Sequence, residues 1–181
     1  MDQSRRVLEE YYNDSNESYA CPSWAPTVGF IGIACAVCFA NIGGAYGTAR
    51  AGQGIMAMGI RSPELLMKNI IPVVMAGVLG IYGMIVAVIL NGKITPPGAG
   101  TRYATYSQFN AFCHLAAGLC CGLTSLISGI AIGISADAAN SGNDNLFVAT
   151  ILIQVFASNI GLYGLITSLI LSQQDYTCEY N

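Results

Sequence analysis

Few residues inside the long apolar stretches of this chain could bind or release a proton. His114 is the only ionisable side chain there apart from tyrosine and cysteine. The other polar candidates gather late in the chain as Gln154, Ser158 and Asn159, followed by Tyr163, with an earlier tyrosine at Tyr82. Hydroxyls and amides can donate and accept hydrogen bonds, but an amide does not titrate and a serine does not ionise at accessible pH. Ion carriage through hydrocarbon needs a group that changes charge. A carboxylate does this because burial raises its pKa and a nearby cation lowers it. All ten acidic and all seven basic residues lie in tails and loops. His114 itself reads as a neutral histidine near the membrane interface, with a proton-relay role as the alternative. The seven cysteines form no metal-ligand pattern, and no metal or cofactor is expected. Cys35, Cys38, Cys120 and Cys121 sit in apolar runs and read as small apolar residues. Cys21 and Cys178 flank the first and last apolar runs, and spacing leaves a disulfide between them open.

The elements that hold these residues are membrane spans. The chain is 54% hydrophobic and only 9% charged over 181 residues, against roughly 25% charged in soluble domains. Charge-free stretches fall at Thr27–Ala49, Ile70–Leu90, Phe109–Ile134 and Leu146–Leu171. Each reaches the roughly 20 residues needed to cross the hydrocarbon. A soluble bundle would show a polar stripe on each helix, and these show none. The expected organisation is a polar tail over 1–26, a first helical hairpin over 27–90, a loop over 91–108, a second hairpin over 109–171 and a C-terminal tail over 172–181. The tail over 1–26 lacks the apolar core of a signal peptide. A net charge of −3 argues against a nucleic-acid partner. Arg50, Arg61 and Lys68 make the first loop basic, which places it in the cytosol and both termini in the lumen.

An internal repeat relates the hairpins. Ala76-Gly77-Val78-Leu79-Gly80-Ile81-Tyr82-Gly83 returns 81 residues later as Ala157-Ser158-Asn159-Ile160-Gly161-Leu162-Tyr163-Gly164. Spans one and three match through Gly43, Ala45 and Gly47 against Gly129, Ala131 and Gly133. The fold class is therefore all-α, four transmembrane helices as two duplicated hairpins entering the membrane in the same direction. Gly29, Gly32, Ala36, Ala40, Gly43 and Gly47 are spaced by three or four, as are Gly118, Gly122, Ser125, Gly129 and Gly133. Each set forms one stripe of small residues along a helix, the pattern by which helices approach closely in lipid. Stripes this long point to a packed inner layer, as in a ring of subunits. Packing within a single four-helix bundle is the alternative.

These runs carry a resemblance. Gly43-Gly44-Ala45-Tyr46-Gly47-Thr48-Ala49 is similar to the first-helix signature of the V-type ATPase proteolipid c family. So are Ser62-Pro63-Glu64, Ile71-Pro72-Val73-Val74-Met75-Ala76-Gly77, Ala131-Ile132-Gly133-Ile134 and Gly161-Leu162-Tyr163-Gly164-Leu165-Ile166. The matches run in order over roughly Ala25–Leu171. The resemblance implies a subunit of a proteolipid rotor ring, turned by ATP hydrolysis in other subunits and not itself an enzyme. Its implied partners are other proteolipids, a stationary arginine-bearing membrane subunit, a central-stalk subunit met through Arg50–Asn69, and lipid. Its implied location is a vacuolar or other acidic endomembrane. It also implies one buried glutamate per subunit as the proton carrier. In the ordinary c proteolipid that position corresponds to Ser158 here. In the longer c-double-prime relative it corresponds to Gly77. Neither can carry a proton.

Asn159, Tyr163, Tyr82 and Gly77 are the expected neighbours of the carrier position. Sodium carriage is disfavoured too, because Val78 and Leu79 stand where sodium-carrying relatives place oxygen ligands. Two functions follow. One is a ring subunit that carries no ion, in a mixed ring. The other is a non-pump scaffold or pore with the same fold, and fold alone does not separate them. The expected topology has a direct check: a cysteine introduced by Asn143→Cys should react from the cytosolic side, and reaction from the lumenal side alone would overturn it.

Overall fold

The computed structural model describes residues 21–60, 67–94, 106–140 and 147–176. Four long helices dominate: α1 over Ala25–Gly59, α2 over Ile71–Lys93, α3 over Gln108–Asn140 and α4 over Phe147–Ser172. A short 3-10 turn, Lys68–Ile70, leads into α2. All four are long and apolar enough to cross a membrane. Prolines sit in the first turns of α1 and α2, where a missing N–H costs nothing because the first four amides have no partner in the helix. The α3 start is capped by Ser107, whose Oγ accepts from the backbone N–H of Asn110 at 3.2 Å.

The helices run past the expected spans. Charge alone would stop span one at Ala49, but α1 continues to Gly59. At 1.5 Å per residue its 35 residues reach about 52 Å, well beyond a hydrocarbon core of about 30 Å. The helical extension carries Arg50, whose guanidinium lies 3.8 Å from Asp137 near the end of α3. Both side chains are about half exposed, so the pair adds little stability. It marks where α1 and α3 run on together.

The most extensive helix pairing is α1 on α3. The two small-residue stripes face each other within the chain: Gly29, Gly32, Ala36, Ala40, Gly43 and Gly47 are all buried, as are Gly118, Gly122, Gly129 and Gly133. A Cβ on Gly43 would stand 2.6 Å from the Leu126 Cα and 2.7 Å from the Ser125 carbonyl oxygen. From the other side, a Cβ on Gly129 would collide with the Gly43 backbone, and one on Gly118 with the Gly32 backbone. Only hydrogen fits at these crossings. Against this pair α2 and α4 pack as an outer layer. Ala76, Leu79, Ile132 and Ala157 form one buried cluster between them, and Ala36, Val86, Leu90, Ala117 and Cys121 form another. The large apolar side chains left outside, such as Met84, Val88, Ile127, Leu152 and Phe156, face outward as lipid contact requires.

One end of the bundle is tied by polar contacts. Lys93 at the end of α2 meets Asp175 beyond α4 at 2.7 Å. The Asn110 side chain pairs with the Tyr176 backbone through two hydrogen bonds, of 3.0 and 2.9 Å. The Tyr106 hydroxyl lies 2.5 Å from Nδ1 of His114. Burial, and then the neighbouring Cys113 and Asp175, push the Tyr106 phenol up to about 12. A phenol that keeps its proton donates to Nδ1, which puts the ring proton on Nε2. His114 is fully buried, and Nε2 has no partner among the described residues. Cys21, just before α1, is disulfide-bonded; Cys178 lies outside the described residues. Cys35, Cys38, Cys113, Cys120 and Cys121 are free thiols.

The glycine crossing gives a quantitative expectation. Gly43→Leu forces a side chain into the α3 backbone and should lower stability by about 1–3 kcal/mol or more. Gly52→Leu, where a Cβ meets nothing within 4 Å, should leave it nearly unchanged. Thermal unfolding of the two variants in detergent compares them; equal midpoints would contradict the packing described.

Candidate ion-carrier site

Position 158 lies near the middle of α4, one residue past the buried Ala157. Ser158 is half-buried, and its hydroxyl donates to the Val155 carbonyl oxygen of its own helix at 2.9 Å. That back-bond uses the only proton the side chain has. One residue earlier, the Ala157 carbonyl oxygen accepts a hydrogen bond from the Ser128 hydroxyl of α3 at 2.6 Å. Ser128 is fully buried. It links α3 to α4 at the level of the site, a role that the sequence alone does not suggest. The only signal for it is a serine inside an apolar run one residue before Gly129.

The expected neighbours fall in different places. Asn159 is half-buried on α4. Tyr163 points outward and is 64% exposed. Tyr82 is partly buried and packs against both the Ala76–Leu79–Ile132–Ala157 cluster and the Val86–Leu90–Cys121 cluster. It is thus the member of the set closest to the core beside Ala157. Gly77 is exposed and lines a cleft between α1 and α2 with Asn41 and Gly80. The contact of α2 with α4 runs instead through Leu79, whose Cδ2 is 2.7 Å from where a Cβ on Gly161 would stand. Leu79 is two residues from Gly77, about 200° round the helix, so Gly77 is turned away from Ser158 and is not its neighbour.

Gln154, one turn before Ser158, is fully buried with both amide atoms unpartnered among the described residues. Leaving an amide so costs about 1–3 kcal/mol. Val78 is half-buried and Leu79 fully buried in apolar surroundings. Among the described residues the carboxylates are Asp137 and Asp175, each at or beyond a helix end and each facing a cation. No group of three or more His, Cys, Asp or Glu side chains clusters among the described residues. The site can form hydrogen bonds at mid-helix depth, and its described residues include no carboxylate.

Known proteins match this sequence over most of its length. The family model for the C subunit of ATP synthase matches residues 31–90 and 115–171, one match for each hairpin. The 16 kDa proteolipid of the V-type proton ATPase of Chrysotila carterae is 52% identical over 162 residues, covering 88% of this chain and 98% of that protein. The corresponding 16 kDa proteolipid of Ascaris suum is 49% identical over 152 residues, 82% of this chain and 91% of the relative. Subunit c' of the Neurospora crassa V-type proton ATPase is 45% identical over 159 residues, 86% of this chain and 93% of the relative. The double match and the length shared with these relatives agree with the duplicated hairpin seen in the fold, and the chain belongs to the ATP synthase C-subunit family, among the V-type proton ATPase proteolipids.

Proposed function

We propose that this chain is a ring subunit of a V-type proton ATPase that completes the ring without carrying a proton. The observation that carries this reading is the state of Ser158. It stands where the resemblance places the carrier carboxylate, and its hydroxyl is bonded to its own helix. A rotor site must be neutral against lipid and charged against the stationary arginine. Ser158, Asn159 and Gln154 are polar in both settings and charged in neither.

A ring built from this chain alone would present no charge to the arginine, so hydrolysis could not be coupled to proton movement. The chain therefore works in a mixed ring, beside proteolipids that carry a carboxylate. Each copy lowers the protons moved per turn by one and widens the gap between carriers. While the gap passes, the arginine lacks its counter-charge in a low-dielectric setting, which is costly; the Asn159 amide oxygen offers it a hydrogen bond. The α1 extension and the first loop, Arg50–Asn69, would meet the central stalk. The setting is an acidic endomembrane with both termini lumenal, and the chain leaves ATP hydrolysis to other subunits.

Hydrophobic carbodiimides test the absence of a carrier, since they react with a protonated carboxyl group held in apolar surroundings. In the purified complex this chain should stay unlabelled while its companion proteolipids are modified. Ser158→Glu should make it reactive. Stoichiometric labelling of the unaltered chain would overturn the proposal.

A further inference from the structure

We propose that Cys21 and Cys178 are joined in one disulfide, an oxidised clasp that binds the start of α1 to the stretch beyond α4 on the lumenal face. This rests on the lumenal placement of both termini proposed above and goes further by assigning a covalent modification there. Seven cysteines occur in the chain. Cys35, Cys38, Cys113, Cys120 and Cys121 carry free thiols, whereas Cys21 is disulfide-bonded. Cys178 is the one sulfur left within the chain to receive that bond.

The described residues next to both cysteines converge on one place. Cys21 precedes Pro22, whose carbonyl oxygen accepts from the Ala25 N–H at 3.1 Å and so is folded back onto the first turn of α1. Ala25 is buried in a cluster with Ile94, Tyr106 and Ala111. Beside Ala111 is Asn110, whose side chain holds the Tyr176 backbone at both its carbonyl oxygen and its N–H. Lys93 pins Asp175 to the end of α2. Cys178 follows Tyr176 by two positions, a step of at most about 7 Å. The first turn of α3 therefore meets both the entry to α1 and the exit from α4, and each sulfur is a short tether away.

The clasp supplies a link that packing does not. Both α1 and α4 pack on α2 and α3, but among the described residues α1 and α4 share no extended contact with each other. The ion pair at the exit is half exposed at Asp175 and holds weakly. A bond that closes nearly the whole chain into one loop constrains the unfolded chain strongly. Such bonds form and last in oxidising compartments. The oxidant is a protein disulfide of the secretory lumen. One thiolate of this chain attacks it, displaces a thiolate and leaves a mixed disulfide; the second thiolate attacks this chain's sulfur in that mixed disulfide and displaces the other. The two thiols give up two protons and two electrons, and the oxidant leaves as a dithiol.

The test uses the chain purified from native membranes, with free thiols blocked by N-ethylmaleimide, and digested without reduction. The expected result is a linked pair of peptides containing Cys21 and Cys178, from a chain that migrates as a monomer on a non-reducing gel. Reduction should speed hydrogen exchange of the Tyr176 amide by about tenfold, because local opening of the exit becomes easier. Cys178→Ser should do the same without reductant. Maleimide on both cysteines of the unaltered chain, a bond from Cys21 to another chain, or a Tyr176 amide indifferent to reduction would each overturn the proposal. If both cysteines are alkylated, a membrane-impermeant maleimide on sealed vesicles separates the causes. Reaction from the cytosolic side sinks the lumenal topology as well; reaction from the lumenal side sinks only the clasp. If Cys178→Ser fails to reach the membrane, the peptide map of the unaltered chain decides.

Discussion

The rest of the structure depends on the backbone contact between α1 and α3. Lipid supplies no hydrophobic drive for one helix to bury against another, so close van der Waals approach must do the work. Gly43 and Gly129, and Gly32 and Gly118, permit that approach because each meets the opposing backbone where a side chain would stand. With the two inner helices so close, α2 and α4 can both reach them from outside and touch each other through Leu79 and Gly161. The stripe is consumed within the chain. The faces left outside carry large apolar side chains on all four helices, such as Ile42, Met84, Ile127 and Phe156.

The same packing fixes where charge can reside. The described carboxylates sit at helix ends beside cations, Asp137 with Arg50 and Asp175 with Lys93. The middle of the bundle holds hydroxyls and amides instead. Ser128 and Ser158 both bond to carbonyl oxygens of α4, and Gln154 is enclosed beside them. Hydrogen bonds of this kind can hold helices in register. They cannot follow a change of surroundings with a change of charge, which is what turns a membrane helix into a carrier. The chain keeps the four-helix architecture of its family, and its described carboxylates lie at or beyond helix ends.

Much of this is legible in the sequence. Runs without charge mark the four spans, because a charge in hydrocarbon is costly enough to be avoided. The return of Gly80-Ile81-Tyr82-Gly83 as Gly161-Leu162-Tyr163-Gly164 marks the paired hairpins. What the residues do not reveal is how far a helix continues past the membrane. Arg50 and Gln53 read as the start of a loop on hydropathy, yet α1 runs to Gly59 because α3 extends alongside it. Rotation about the helix axis is hidden as well. Gly77 reads as a partner of Ser158 by register, but register fixes depth and not direction, and Gly77 turns to the other side of α2. Asn41 is a lone amide in an apolar run, and the fold sets it on a cleft between α1 and α2. The pairing of Ser128 with the Ala157 carbonyl joins residues 29 positions apart and has no local signature.

Ring composition is the most telling property to measure. Native mass spectrometry of the intact membrane ring, isolated with its proteolipids, would count copies of this chain and of its companions. The expected result is a ring in which this chain is present together with proteolipids that bear a mid-membrane carboxylate. A proton-pumping ring in which this chain is the sole proteolipid would show that Ser158 does not end proton carriage.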